Sequence, residues 1–306
     1  MEEKYIGKYR LTTDLRGQNS GNARWGFCTY NSNEYFIKEF ISPVYPEASA
    51  PISDEVRTAL VRECSAFEQR KNRLYTAINA STNGNIIGIR SFFRFKSRYY
   101  IVTEKVETGK TKVSEIAELS MEKKIILLRV LLYSIRCIHD AGIVHADIKP
   151  DNLILKPTRN GYYTLKLIDF DASFFEDDQP KNSDDIHGDL SYLAPETFLR
   201  IAGEDERITR KADIFALGII FHEFLTGVRP RMSGDYDYLY EAVLDGGDIG
   251  ISNRLPMPLH SLIRRMLDID PKKRPSAADI FDYFGEKTSM KSSDEGNHFS
   301  RDSSLD

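Results

Sequence analysis

Two stretches near the middle of the chain, IHDAGIVHADIKPDNLIL (residues 138–155) and LKLIDFD (residues 165–171), decide the fold of this 306-residue sequence. Both embed polar groups in apolar surroundings. The polar groups concerned are Asp147, Lys149, Asn152 and Asp169. A carboxylate can accept a proton, and carboxylate and amide oxygens are hard ligands of the kind that Mg²⁺ takes. The two stretches therefore supply a candidate base, a candidate cation and two candidate metal ligands.

The order and spacing of these groups resemble those of the eukaryotic-type Ser/Thr protein kinases, whose catalytic loop HRDxKPxxN and metal-binding DFG they closely echo. The resemblance extends from about Tyr9 to Phe284. It implies an α+β, bilobal protein kinase fold, with a small antiparallel-sheet N-lobe that carries one long helix and a mainly helical C-lobe. We expect the N-lobe at residues 1–106, the C-lobe at 107–285 and a disordered Ser/Asp-rich tail at 286–306.

Hydrophobic periodicity agrees with this division. Short alternating segments separated by Gly and Asn come first, and the run from Glu34 to Phe40 is typical of a strand. Beyond Glu107, Leu, Ile and Val recur at helical spacing. The predicted helices are 53–79, 113–140, 211–226, 258–268 and 276–284.

The resemblance implies a role for each polar group of the two stretches. Transfer of a γ-phosphoryl group from ATP needs a base, metal ligands and cations on the phosphates. Asp147 is expected to accept the hydroxyl proton, and Lys149 to place positive charge beside the transferring group. Asn152 and Asp169 are expected to bind Mg²⁺. His145 is expected to brace the loop rather than to act as a catalytic imidazole.

Upstream, the segment YFIK (residues 35–38) ends a strand where the family has VAIK. The resemblance therefore implies that Lys38 reaches the α and β phosphates of ATP. Its carboxylate partner is expected on the predicted helix 53–79, where both Glu63 and Glu68 lie near the apolar stripe. Glu63 matches the local pattern of the family and Glu68 its usual separation, so both remain candidates.

A phosphate-covering loop is expected in the segment GNARWGFC (residues 21–28), which maps onto GxGxxGxV. The implied nucleotide contacts are Gly21, Ala23, Gly26 and Cys28, with Ala23 in place of the middle glycine. A lone Gly-rich stretch is weak evidence, and an ordinary hairpin turn is the alternative.

The adenine end of the site carries an unusual side chain. Thr103 is expected at the back of the adenine pocket, and Glu104 at the start of the hinge. Phe36 stands where the family has a small alanine, and a phenyl group there would overfill a pocket sized for a nucleotide unless the strands stood further apart. Reduced nucleotide affinity would be the first consequence.

Three further positions depart from the family pattern. Ala146 replaces the arginine of HRD, so a phosphate–arginine pair cannot order the activation segment there. Asp171 replaces the glycine of DFG and adds a carboxylate near the metals. Asp189 replaces a threonine, and its carboxylate could pair with Lys149 but would repel Asp147.

Downstream markers favour a protein substrate. In GDLSYLAPE (residues 188–196) the last three residues resemble the APE that ends an activation segment, and Glu196 is expected to pair with Arg274. Asp213 is expected to hold the catalytic-loop backbone. The activation segment also carries an acidic run upstream of GDLSYLAPE, which is either a solvated face, a selector of basic substrates or a substitute for a phosphate: Glu176, Asp177, Asp178, Asp184 and Asp185.

Composition and charge indicate which classes of partner the chain is not expected to bind. With 42 Lys and Arg against 46 Asp and Glu, a net charge of −4 and a pI near 6.0, binding to nucleic acid is not expected. The apolar runs 125–138 and 214–225 are too short and too charged to span a bilayer, and MEEKYIGKYR does not have the apolar core of a secretory signal. The three cysteines form no CxxC pair, and a cytoplasmic location is expected.

These observations predict an ATP- and Mg²⁺-dependent kinase that phosphorylates Ser or Thr hydroxyls of protein substrates, and possible self-phosphorylation is included in that prediction. The alternative is a pseudokinase, a binding or scaffold module whose adenine pocket is obstructed by Phe36. A third interpretation is phosphorylation of a small metabolite. The sequence names neither the physiological substrate nor the oligomeric state.

Overall fold

The computed structural model describes residues 4–17, 23–106 and 111–285. They form two compact units, one ending at residue 106 and the other starting at residue 111. Gly21 and the predicted tail lie outside the described residues, so the predictions for them stay predictions.

The N-terminal unit is a six-stranded antiparallel sheet with one long helix. In chain order its strands are β1 (Tyr5–Ile6), β2 (Tyr9–Leu11), β3 (Ala23–Tyr30), β4 (Asn33–Phe40), β5 (Ile89–Phe95) and β6 (Arg98–Glu104), and the spatial order is β1-β2-β3-β4-β6-β5. The helix is α1 (Asp54–Ala80), and the Ser53 side chain accepts a hydrogen bond from the Val56 amide to cap its first turn. A tight turn joins β3 to β4, where Asn31 and Ser32 both have positive φ.

The two faces of this sheet have different roles. One face carries an aromatic-rich core that includes Tyr9, Cys28 and Tyr100. The other face packs against α1, where the Phe67 ring contacts the ring of Phe40. Because side chains alternate along a strand, the register of β3, β4 and β6 decides which residues share the helix-bearing face.

The C-terminal unit is mainly helical. Its helices are α2 (Val113–Ala117), α3 (Met121–Asp140), α4 (Pro195–Ile201), α5 (Arg210–Thr226), α6 (Leu239–Leu244), α7 (Met257–Met266) and α8 (277–285). Short antiparallel ladders pair β7 (Ile143–Val144) with β10 (Phe174–Phe175), β8 (Leu153–Pro157) with β9 (Tyr163–Leu167), and β11 (Arg231–Met232) with β12 (Ile249–Gly250). Helix α5 is buried on all sides along most of its length and forms the centre of the unit.

Some predicted elements differ from those observed. The helix predicted at 113–140 is two helices, because the Ser120 side chain accepts a hydrogen bond from the Lys123 amide and starts a new helix there. Helices α4 and α6 have no counterpart among the predicted elements, since each is too short to show a full hydrophobic period. None of the described helices combines the length and the apolar character that crossing a bilayer demands.

Candidate active site

A hairpin brings the two candidate metal ligands to one place. Strands β8 and β9 pair with Leu153 opposite Leu167, so Asn152 precedes one strand and Asp169 follows the other at the same end of the ladder. A hydrogen bond from the Ile168 amide to the Asn152 carbonyl, 3.0 Å long, continues this pairing by one step. Asn152 and Asp169 are 17 positions apart in sequence, and an ordinary antiparallel ladder brings them together.

Both carboxylate oxygens of Asp147 accept hydrogen bonds. Its Oδ2 accepts a hydrogen bond from the Asn152 side-chain amide at 2.9 Å and lies 2.9 Å from the Lys149 ammonium nitrogen. Its Oδ1 accepts a hydrogen bond from the backbone amide of Asp189 at 3.0 Å. The side chain is 16% exposed, so these contacts hold a charged group that water reaches only in part. The structure thus brings together Asp147, Lys149 and Asn152 as the sequence predicts.

A buried aspartate of α5 holds the backbone of the catalytic loop. Asp213 accepts hydrogen bonds from the amide of His145 at 2.8 Å and from the amide of Ala146 at 2.9 Å. Ala146 has a φ of 65°, a conformation that is costly for a residue with a Cβ. The two bonds to Asp213 stabilise that conformation, and the predicted role of Asp213 is confirmed.

His145 is a buried, neutral brace. Its Nδ1 accepts a hydrogen bond from the Asp147 amide, and its Nε2 lies 3.3 Å from the Ile168 carbonyl oxygen, to which it can donate. Burial lowers the pKa of His145 below its usual value. The predicted bracing role is confirmed, because one nitrogen holds the catalytic loop and the other holds the segment that leads to Asp169.

The carboxylate of Asp189 behaves as the sequence suggests. Its Oδ2 lies 3.8 Å from the Lys149 nitrogen, so Lys149 lies within ion-pair distance of two carboxylates. Its Oδ1 accepts a hydrogen bond from the Ser191 amide at 3.0 Å. This second bond fixes the side chain, while the backbone amide of the same residue binds Asp147.

The donor set fits Mg²⁺ that is shared with a phosphate ligand. The Asn152 amide nitrogen faces Asp147, which leaves its carbonyl oxygen for another partner. Within the described ranges, three or more His, Cys, Asp or Glu side chains do not come together as a protein-only metal site. Mg²⁺ commonly keeps waters and substrate phosphates and takes only one or two protein oxygens, which is what Asn152 and Asp169 offer.

In the N-terminal unit, Lys38 lies in the centre of the sheet. It is buried, and the register places it opposite Trp25 of β3 and Ile101 of β6 on the helix-bearing face. Neighbouring Phe36, on the same face, lies opposite Phe27 and Thr103.

Phe36 belongs to an aromatic cluster, which we define as Trp25, Phe27 and Phe36. The Phe36 ring stacks on that of Trp25 with centroids 5.7 Å apart, and meets the Phe27 ring edge-on at 6.0 Å. These contacts are favourable ring geometries, so the phenyl group is part of the packing of the sheet face. On the adjoining strand, the Glu104 carboxylate accepts a hydrogen bond from the Gly88 amide at 3.3 Å.

The predicted phosphate-covering loop needs correction. Ala23, Gly26 and Cys28 lie in strand β3, not in a loop. Cys28 is fully buried in the core on the face opposite to Lys38, and this burial raises the pKa of its thiol to about 12. Because side chains alternate along β3, Ala23 lies on the face that carries Lys38 and not on that of Cys28, and the nucleotide contacts of this segment stay predictions.

The two candidate glutamates of α1 have different surroundings. Glu68 accepts a hydrogen bond from the Tyr99 hydroxyl at 2.7 Å and lies 3.8 Å from Arg94. Glu63 is exposed. The pairing of either carboxylate with Lys38 stays a prediction. Sequence reasoning overlooked Lys71 of the same helix, whose ammonium lies 5.6 Å from the centroid of the Phe40 ring.

The activation segment is anchored at several points. The predicted pair of Glu196 and Arg274 is confirmed: it is buried and bidentate, with N–O distances of 2.7 and 2.8 Å. Glu176, part of the acidic run, pairs with Arg210 and accepts a hydrogen bond from Arg207 through its backbone carbonyl. Sequence patterns point to neither arginine, because each contact joins residues more than 30 positions apart.

Comparison with known proteins decides the family. A sequence model described as "Protein kinase domain" matches residues 62–283, well over half of the chain. The chain belongs to the protein kinase family. The predicted fold class is confirmed with it: the N-terminal unit is the antiparallel-sheet lobe of a kinase with its long helix, and the C-terminal unit is the helical lobe.

Several curated proteins are similar to this kinase. Calcium-dependent protein kinase 5 of Oryza sativa subsp. japonica is 30% identical over 202 residues, which cover 64% of the chain and 35% of that protein. The probable serine/threonine-protein kinase fhkC of Dictyostelium discoideum is 26% identical over 275 residues, 87% of the chain and 42% of that protein. The chain thus spans well under half the length of these relatives.

Proposed function

We propose that this protein kinase is catalytically active and transfers the γ-phosphoryl group of Mg-ATP to Ser or Thr hydroxyls of protein substrates. The observation that carries this proposal is the setting of Asp147, whose two oxygens are held by Asn152, Lys149 and the Asp189 amide. Such a carboxylate is oriented and remains partly accessible, which is what a base acting on an incoming hydroxyl requires.

The chemistry follows from these positions. As the substrate hydroxyl attacks the γ-phosphorus, its proton passes to Asp147, the new oxygen–phosphorus bond forms, and the bond to the bridging oxygen breaks, which releases ADP. Lys149 lies beside Asp147 and places positive charge where negative charge develops. Asn152 and Asp169 would hold Mg²⁺, which when bound neutralises charge on the phosphates.

Two findings support a Ser/Thr protein substrate. The lysine two residues after Asp147 occurs in the pattern that resembles Ser/Thr kinases. In addition, one of the similar proteins is named as a probable serine/threonine-protein kinase. The first favours Ser or Thr hydroxyls as acceptors, and the second favours a protein substrate over a small metabolite.

The experiment is phosphoryl transfer from labelled ATP to a library of Ser-, Thr- and Tyr-containing peptides. We expect Asp147→Asn to lower turnover by at least about 10²-fold, because the variant retains the side-chain shape and lacks the basic oxygen. Asp151→Asn, a neighbouring exposed carboxylate in the same loop, is the matched control and should retain turnover. Undiminished transfer by Asp147→Asn would refute the assignment of the base.

A second candidate function is favoured by the aromatic cluster. Phe36, stacked on Trp25, occupies the sheet face that carries Lys38. If the ring excludes a nucleotide, the protein is a binding module without phosphoryl transfer. Absence of transfer by the wild-type protein to any peptide or to itself, together with absence of ATP binding, would favour this alternative.

A further inference from the structure

A hydrogen-bonded triad lies at the end of the activation segment. The Tyr192 hydroxyl donates to one carboxylate oxygen of Glu223 at 2.9 Å, and the Arg229 Nε donates to the other at 2.9 Å. A second Arg229 nitrogen lies 3.2 Å from the Tyr192 oxygen, and the guanidinium lies 4.9 Å from the centroid of the tyrosine ring. We call these three residues the Arg229 triad.

The burial of the triad is uneven. Glu223 belongs to the central helix α5 and its side chain is 6% exposed, whereas that of Arg229 is 50% exposed. A buried carboxylate is costly unless charged or hydrogen-bonded partners compensate it. Arg229 therefore supplies the positive charge that lets Glu223 hold Tyr192 in place. Burial also raises the pKa of the Tyr192 hydroxyl, so this group remains a donor.

A short chain of contacts joins Tyr192 to Asp147. Tyr192 ends a single 3₁₀ turn, Leu190–Tyr192, and its amide donates to the Asp189 carbonyl at 2.9 Å. The Asp189 side chain caps the same turn through the Ser191 amide. The Asp189 amide in turn donates to Asp147. These bonds join Asp189, Ser191 and Tyr192 in one turn. A displacement of Tyr192 therefore displaces the Asp189 amide as well.

The segment from Gly188 to Tyr192 is closely packed at its Gly188 end. Gly188 precedes Asp189, and a Cβ at this position would lie 3.0 Å from the Ala146 carbonyl oxygen and 3.1 Å from the side chain of Leu193. The backbone therefore passes close against the catalytic loop. Together with the tied turn, this close approach leaves the Arg229 triad as the outer anchor of the Asp189 amide.

We propose that Arg229 is a positioning residue for phosphoryl transfer: through Glu223 and Tyr192 it sets the place of the Asp189 amide and thereby the orientation of the Asp147 carboxylate. This inference rests on the proposed kinase function of the same site. Misplacement of a reacting group by about 1 Å can lower a rate by about 10²-fold.

The test measures kcat for a peptide substrate with a free Ser or Thr hydroxyl, and KM for Mg-ATP, in a set of single variants. We expect Arg229→Ala to lower kcat about tenfold or more, while the KM for Mg-ATP changes less than about twofold. Arg229→Lys keeps the charge for Glu223 but loses the planar fork, so it should recover part of kcat. The control is Arg136→Ala, which removes an arginine of similar exposure from an ion pair with Asp140 on α3 and should retain wild-type kcat.

A double variant separates positioning from general destabilisation. If Arg229 acts through Tyr192, the effects of Arg229→Ala and Tyr192→Phe on kcat overlap, and the double variant loses less than the product of the two single losses. Should Arg229→Ala not fold, Tyr192→Phe alone carries the test, since it removes only the hydroxyl bound to Glu223.

Each outcome is distinct. A wild-type protein that transfers no phosphoryl group would overturn the proposed function, and the inference would be overturned with it. An active wild-type protein with a kcat for Arg229→Ala equal to that of Arg136→Ala would overturn the inference alone. Fully multiplicative losses in the double variant would also overturn it.

Discussion

Asp147 owes its orientation partly to near neighbours in sequence and partly to a distant one. Lys149 and Asn152 follow it within five positions, so the spacing of the catalytic-loop pattern already predicts that they meet. The Asp189 amide is 42 positions away, and no local pattern predicts its bond to Asp147. At the scale of single residues, the side chains proposed to carry the chemistry can be predicted from sequence, whereas the backbone groups that orient them cannot.

His145 leads to a prediction about pH. Because burial lowers its pKa, the unfolded chain binds a proton below pH about 6.5 before the folded protein does. The stabilisation is therefore complete above about pH 6.5 and is lost as the pH falls, at up to about 1.4 kcal/mol per pH unit for each such group. We expect the free energy of unfolding, measured by urea denaturation, to decrease from pH 6.5 to 5.5.

The variant His145→Phe lacks the buried imidazole whose protonation gives this pH dependence. Its free energy of unfolding should be lower at neutral pH but less dependent on pH between 5.5 and 6.5 than that of the wild type. His222, whose pKa burial also lowers, keeps the remaining slope. An unaltered slope in His145→Phe would contradict the prediction.

Phe36 allows a prediction with two opposite effects. We expect Phe36→Ala to tighten the binding of Mg-ATP, measured by calorimetry, if the ring narrows the nucleotide site. The same change should lower the free energy of unfolding by about 1–3 kcal/mol, because the half-buried ring loses its stacking with Trp25. Phe95→Ala, a ring packed against the core on the other sheet face, should lower stability without changing ATP affinity. Equal or weaker ATP affinity of Phe36→Ala would show that the site accommodates the ring.

At the scale of elements, long periodic segments are predictable and short ones are not. Helices α1 and α5 begin and end within two residues of their predicted bounds, because buried positions recur over several turns. The resemblance of residues 21–28 to GxGxxGxV predicts a loop, whereas residues 23–28 of this segment lie in strand β3. The strand forms because Phe27 and Cys28 alternate between two packed faces, and only pairing with β4 shows that both faces are covered.

The pair of Glu196 and Arg274 gives a prediction at this scale, since it ties α4 to the turn that precedes α8. Arg274 is fully buried, and its guanidinium also donates to the backbone carbonyls of Asp268 and Lys211. We expect Arg274→Met to lower the free energy of unfolding by about 3–5 kcal/mol, because Glu196 is left as an uncompensated buried charge.

Urea denaturation followed by circular dichroism measures this loss. The control is Lys112→Ala, which breaks an exposed pair with Glu115 at 3.1 Å and should cost less than about 1 kcal/mol. A loss in Arg274→Met as small as that of the control would mean that water or other groups compensate Glu196 in the folded protein.

At the scale of the whole molecule, ligand binding and stability are linked. A ligand that binds only the folded protein adds about 2.7 kcal/mol to the free energy of unfolding at 100 times its Kd. We expect Mg-ATP to stabilise the wild-type protein and Asp147→Asn to a similar extent, because Asp147 is proposed to act on the hydroxyl and not on the phosphates. Thermal denaturation with and without Mg-ATP measures the effect.

Two variants sharpen this measurement. Asp169→Asn should lose the part of the stabilisation that depends on Mg²⁺, since a neutral amide is a poorer ligand of a hard cation. The control Asp184→Asn changes an exposed carboxylate of the acidic run and should respond as the wild type. Absence of any Mg-ATP effect on the wild-type protein would favour the binding-module alternative.

Residue order alone predicted the kinase pattern, the division into a sheet-rich and a helical part, and Asp147, Lys149, Asn152 and Asp169 as the groups proposed to carry the chemistry. It could do so because each of these features is local: a spacing within one loop or a periodicity along one element. Folding was needed to decide which face of β3 bears Cys28. It was also needed to join Arg229 to Tyr192, because such contacts depend on how separate elements pack and on which buried charges must find partners.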